Sequence, residues 1–155
     1  YADKMPRVLV FMKTAGFYHN SIPAGAVAIQ KLGLQNKFIV DTTRDAAAFT
    51  KTNLKKYAAI IFLNTTGTVL NDVQKEAFKQ YIQKGGGFVG VHAASDTEYE
   101  WPWYNGLVGA YFLSHPKQQK AHIIVKNSTH ISTGICPQNG NVLMSGIISK
   151  TLATR

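Results

Sequence analysis

Four short apolar runs separated by stretches of helical spacing constrain this chain more than anything else in it. They are Arg7–Met12 (RVLVFM), Lys37–Thr42 (KFIVDT), Ala58–Leu63 (AAIIFL) and Phe88–Val91 (FVGV). β-Branched and aromatic residues in runs of this length predict buried strands. Between the first two, Asn20 or Ser21 can cap a helix with Pro23 in its first turn. Ile22, Ala26 and Ile29 then recur at helical spacing, and Gly33 marks the expected end. Residues 50–57 predict a short second helix. Asn71 is the expected cap of a third, with Val73, Ala77, Phe78 and Tyr81 as its apolar stripe and glycines 85–87 as its end. A short helix at 105–112 and a fifth strand at 122–125 follow. Alternating strands and helices predict βαβ units and a mostly parallel sheet, so the class is α/β.

Right-handed crossovers place every loop that follows a strand on one edge of such a sheet, the edge where open α/β folds bind ligands. Three loops should therefore meet there: 13–20, 64–68 and 92–104. The third is the richest, reading HAASDTEYEWPWY directly after the fourth strand. His92 can act as a general base or as a metal ligand through a neutral ring nitrogen. Asp96 and Glu98 can orient it or act as acid or base themselves, and nothing local in the sequence asks for Glu98. These three are the expected catalytic residues. Expected ligand contacts are Lys13, Thr14, His19, Asn20, Thr65, Ser95, Tyr99, Trp101 and His115, with Trp101 offering an apolar wall to a ligand. His19, His92 and His115 come from segments that can converge, so a divalent metal is a candidate cofactor, although their spacing forms no metal signature.

Composition narrows the partners. Seventeen Lys and Arg against 8 Asp and Glu give a net charge of +9. The excess is spread out; residues 51–57 (KTNLKKY) are its densest patch, and no nucleic-acid motif accompanies it. A nucleic-acid partner is not expected, nor is membrane insertion, since no apolar run approaches spanning length. The single cysteine, Cys136, precludes an internal disulfide. The glycines at 85–87 precede a strand instead of opening a helix, so they are not a phosphate cradle. A homo-oligomer is compatible with the sequence.

The blocks KTAGFYHNSI, NTTG, GGGFVGVHAASDTEYEWPWY and LVGAYFLSHP, with the Q-x-A-x-I-x-V pattern at 119–125, resemble the ThuA-like, or trehalose-utilisation, family over residues 7–133. The resemblance implies a flavodoxin-like three-layer sandwich related to class I glutamine amidotransferases. It also implies a place in the metabolism of trehalose, other disaccharides or keto-sugars, and with it a small carbohydrate ligand as the expected partner. Relatives of this kind occur both inside cells and exported, so the compartment stays open. In the amidotransferases a nucleophilic Cys on a strained turn follows the fourth strand in a G-x-C pattern; here the pattern is Gly90-Val91-His92. Without that thiol the acyl-enzyme route to glutamine hydrolysis is closed.

From Gly134 the resemblance stops, where the family continues with a Trp-rich acidic segment and further strands. Codons legal for Gln138–Leu152, read one frame over, spell a sequence of that kind. The expectation is a partial ThuA-like domain at 1–133, incomplete at its C-terminus, and a frameshift-derived tail at 134–155. Two functional readings remain besides an enzyme acting through His92. One is a binding or scaffolding module of the same fold without turnover. The other is a flavodoxin-like electron carrier, for which the loop 13–20 supplies too few phosphate-binding residues.

Overall fold

The computed structural model describes residues 5–131, 133–134, 139–144 and 148–150. They fall into two compact units, one up to Tyr111 and one from Phe112 to Lys150. The first unit carries β1 (Arg7–Phe11), α1 (Ile22–Asn36), β2 (Ile39–Thr43), α2 (Lys51–Leu54), β3 (Ala59–Leu63), α3 (Asp72–Gln83), β4 (Gly87–Val91) and α4 (Pro102–Val108). Among the described residues its sheet has four strands in the order β2-β1-β3-β4, and every neighbouring pair is parallel. The parallel α/β architecture read from the sequence is the one observed.

Alternation along each strand sends side chains to opposite faces. Leu9, Phe11, Ile60 and Phe62, with Phe88, point into the larger cluster beside Phe49, Leu54, Phe78, Tyr81 and Tyr104, which come from α2, α3, α4 and the connections. Val10, Met12 and Leu63 point the other way, against Ile22 of α1, with Val40, Ile61 and Val91 around them. Helices thus cover both faces, in three layers. Phe62 is the hub of the larger cluster, with ring centroids of Phe11, Phe49, Phe78, Phe88 and Tyr104 all within 5.3–5.9 Å.

The third helix begins where its cap predicts. Asn71 accepts from the Gln74 amide, and the Gln74 side chain accepts in return from the Asn71 amide, a closed capping box. Ala77, Phe78 and Tyr81 are buried as the stripe requires, but Val73 is 79% exposed. The first helix departs from expectation at both ends. Ser21 has helical dihedrals and makes no capping bond; its hydroxyl instead accepts from Asn64 Nδ2 at 2.9 Å. Gly33 does not stop the helix, which runs on to Asn36 and closes through Lys37 at φ 58°. Glycine stands at 33 because a Cβ there would lie 2.7 Å from both Phe38 O and Val40 Cγ2. The signal read as a terminator reports close packing of helix on strand.

The second helix is one turn, capped by the Thr50 hydroxyl, which accepts from the Asn53 amide. The helix expected at 105–112 starts earlier, at Pro102, and ends on Gly109 in the left-handed region at φ 91°. A strand not anticipated, β5 (Tyr111–Ser114), follows at the boundary of the units. In the second unit β6 (Gln119–Ile124) contains most of the expected fifth strand. It pairs antiparallel with β7 (Asn139–Met144), from Gln119 against Met144 to Ile124 against Asn139. β8 (Ile148–Lys150) pairs with β5. The tail expected from Gly134 lies partly outside the described residues, and Cys136 lies outside them altogether. Among the described residues no helix is long and apolar enough to cross a membrane.

Candidate functional site

Two neighbouring parallel strands end in the same unusual way. Asn64 after β3 has φ 51° and His92 after β4 has φ 50°. Left-handed backbone is uncommon for non-glycine residues, with Asn and His among the types that tolerate it best, and holding it costs roughly 1–3 kcal/mol per residue. The cost persists because the surroundings fix both turns. The Asn64 amide donates to Val91 O at 3.3 Å, and Ala93 and Ala94 are buried just beyond His92. His92 therefore leaves the sheet on a sharp, strained elbow with its side chain exposed.

The three loops do meet. The Ala15 amide donates to Thr66 O at 2.7 Å, and the Thr66 hydroxyl accepts from the Gly16 amide and donates to Phe17 O. On the other side, the Gly67 amide donates to Asp96 O at 2.8 Å, and Gly67 O accepts from the Glu98 amide at 3.1 Å. Gly67 sits at φ 73°, a conformation that glycine adopts without a steric penalty. Thr65 and Thr97, both fully buried, share a hydroxyl–hydroxyl bond of 2.8 Å beneath this strip.

Across the strip, the first and third loops present two imidazoles to each other. His92 Nε2 and His19 Nε2 are 3.2 Å apart. The ring centroids are separated by 4.8 Å and the planes are nearly perpendicular, at 87°. Phe17 packs against His19 with ring centroids 4.9 Å apart, edge to face. His19 Nδ1 is buried, which leaves Nε2 as the nitrogen turned toward His92. At this separation only one of the two Nε2 atoms can carry a hydrogen. Which one does is a matter of tautomer.

Around the pair, the Ser95 hydroxyl donates to His92 O at 3.3 Å. Asp96 accepts from the Tyr99 hydroxyl. Partial burial first, then the Asp96 hydrogen bond and charge, push the Tyr99 hydroxyl well above the usual tyrosine range. Asn20 is exposed in the turn before α1. Thr14 forms an isolated bridge with Thr66.

Several expected contacts are committed elsewhere. Glu98 is 1% exposed; its Oε1 accepts from the amides of Val69 and Leu70 at 2.8 Å each, and its Oε2 lies 2.9 Å from Lys75 Nζ. The premise that nothing local asks for this carboxylate is corrected: it anchors the start of the segment leading into α3. Thr65 is buried with its hydroxyl on Thr97, and Lys13 Nζ donates to Val69 O at 3.0 Å. Trp101 packs among Phe78, Trp103 and Tyr104, with Lys75 Nζ 5.7 Å from its ring centroid. It lies in the core's lid and is not an open wall. His115 belongs to the second unit, where its ring packs 4.8 Å from Phe112. Among the described residues no group of three or more His, Cys, Asp or Glu side chains could hold a metal ion.

Two residues at this edge were not anticipated. Phe17 is 70% exposed beside the histidine pair. Asn64 is 3% exposed, and its Oδ1 has no hydrogen-bond partner among the described residues. The available signal for Asn64 was its place directly after the apolar run AIIFL, at a strand's carboxyl end.

Comparison with known proteins agrees with this architecture. The ThuA family model, described as trehalose utilisation, matches residues 7–143. No curated protein matches. A ThuA-like protein from Bacteroides uniformis ATCC 8492 is similar in structure, with a TM-score of 0.75 and 27% identity, over 92% of this chain and 60% of that one. A ThuA-like protein from Parabacteroides merdae ATCC 43184 shares the fold, with a TM-score of 0.71 and 18% identity, over 89% of this chain and 60% of that one. The chain thus spans about 60% of the length of these two structures. With the family match covering most of its length and the parallel sheet behind it, the chain belongs to the ThuA, or trehalose-utilisation, family.

Proposed function

We propose that this domain binds a small sugar or keto-sugar at the carboxyl edge of its sheet and that His92, with His19, moves a proton on that ligand. The observation that carries the reading is the imidazole pair itself, one ring on a strained elbow and the other only 3.2 Å away. Strain of this kind collects at functional sites. The family's description supplies the ligand class. Phe17 takes the stacking role expected of Trp101, since it is the exposed aromatic beside the pair. Asn20, Ser95 and Tyr99 remain the proposed hydroxyl contacts; Thr65 and Glu98, both buried and engaged, are dropped from the set.

The test is a panel of trehalose, other disaccharides and their oxidised derivatives, measured for binding and for turnover. Phe17→Ala should weaken binding of the responding sugar. His92→Ala should remove turnover while retaining most binding. A panel with no binder refutes the reading. The commitment of Glu98 to structure and of Asp96 to Tyr99 favours a second reading, a sugar-binding module without chemistry. It predicts a binder whose affinity falls in Phe17→Ala and which shows no turnover even before substitution.

A further inference from the structure

We propose that His19 and His92 together hold one divalent transition-metal ion between their Nε2 atoms. The inference rests on the reading of this edge as the ligand site; with both Nε2 atoms bound to the ion, the proton transfer proposed for His92 would pass to water held by the ion. Zinc–imidazole bonds are about 2.0–2.1 Å long, so two nitrogens 3.2 Å apart would subtend about 100° at a shared ion, near the tetrahedral angle. The ring positions agree. Rings aimed at a common ion in this way have centroids about 5 Å apart. Rings aligned nose to nose along one N–H···N hydrogen bond have centroids about 5.5 Å apart. The observed separation is 4.8 Å.

In the metal-free protein one Nε2–H donates to the other Nε2; on binding an ion that proton moves to Nδ1 of the same ring, so that both rings stay neutral and both Nε2 lone pairs face the ion. Both donors are imidazoles, which suit zinc, cobalt, nickel and copper and not magnesium or calcium. The site is partly prepared. His19 has its Nδ1 buried and Phe17 packed against its ring, and His92 is fixed by its elbow. No third His, Cys, Asp or Glu completes the set among the described residues. The remaining positions would therefore be filled by water or by oxygens of the bound ligand. A vicinal hydroxyl and carbonyl of an oxidised sugar would fit such open positions.

Titration of the whole chain with zinc and with cobalt, by calorimetry and by absorbance, tests this. The chain should carry Cys136→Ser so that a thiolate does not compete. One ion per chain is expected, with no heat from magnesium. His19→Ala and His92→Ala should each abolish binding, and His115→Ala should leave it unchanged. Each variant's melting curve establishes that it is folded. Independently of any variant, cobalt should shift the imidazole proton resonances of His19 and His92 and leave those of His115 and His122 in place. Absence of zinc and cobalt binding, binding that survives either His→Ala change in a folded variant, or cobalt shifts centred on another histidine overturns the inference. Sugar binding without metal binding would sink the inference and leave the proposed function standing; metal binding with no sugar bound would do the reverse.

Discussion

The carboxylate of Glu98 meets the ammonium of Lys75 at 2.9 Å where the carboxylate side chain is only 1% exposed. Its second oxygen takes two backbone amides, so the group is held from both sides. Removing one partner of a buried pair is the costly operation, because the other is left without compensation. Glu98→Ala is expected to cost about 3–5 kcal/mol in denaturant unfolding. Glu98→Gln, which keeps an acceptor for Val69 and Leu70, should cost clearly less. Lys75→Ala should also cost less, since the ammonium is 17% exposed and the two amides remain. If Glu98→Ala unfolds at the same denaturant concentration as the parent, the anchoring role is wrong.

Gly33 makes a prediction whose sign opposes helix propensity. Alanine in a helix interior is ordinarily favoured over glycine by up to about 1 kcal/mol. Here the added methyl group would have to displace Phe38 O, which is backbone, and the Val40 side chain. Overpacking of that kind costs about 1–3 kcal/mol, so Gly33→Ala should lower the melting temperature. A rise would show that α1 shifts freely on β2.

Phe62 is fully buried and touches five other aromatic rings. Truncation there removes both transfer free energy and ring-to-ring contacts. Phe62→Ala should destabilise by about 3–5 kcal/mol, whereas Phe62→Leu should lose a fraction of that, as read from paired denaturant melts.

Tyr104 gives the chain an alkaline limit. Its hydroxyl is buried and donates to Ala94 O at 2.8 Å. Burial first, then the negative charges of Glu98 and of Tyr111 when ionised, hold it above its ordinary value of 10.0. The folded state therefore keeps this proton at a pH where the unfolded chain has released it. Its contribution is complete below about pH 10 and declines as pH rises further, at about 1.4 kcal/mol per pH unit. Tyr104→Phe should flatten that decline while costing about 1 kcal/mol at neutral pH through the lost hydrogen bond. Urea melts of both proteins at pH 8 and pH 11 compare the slopes.

The sequence showed the first four strands, their parallel pairing and the meeting of three loops, because burial on both faces writes itself as continuous apolar runs. His92 and His19 were legible for the same reason: each follows a strand. What the sequence hid was the direction of side chains within loops. Trp101 looks like a wall and lies in a lid, Phe17 sits in a loop with nothing to mark its ring as 70% exposed, and Glu98 looks unclaimed because its partners lie 23–29 residues earlier. Gly33 was legible as a special position but not as to why, since the atoms that exclude a Cβ come from the next strand.

Thr66 and Gly67 form a spacer that contains neither histidine. One is fastened to residues 15–17 and the other to residues 96 and 98. The gap between the two imidazoles is thus gauged by a short piece of a third chain segment lying between their loops. Altering those two residues would widen or narrow the gap without touching either ring, so the spacing of the pair is a quantity that can be tuned from outside it.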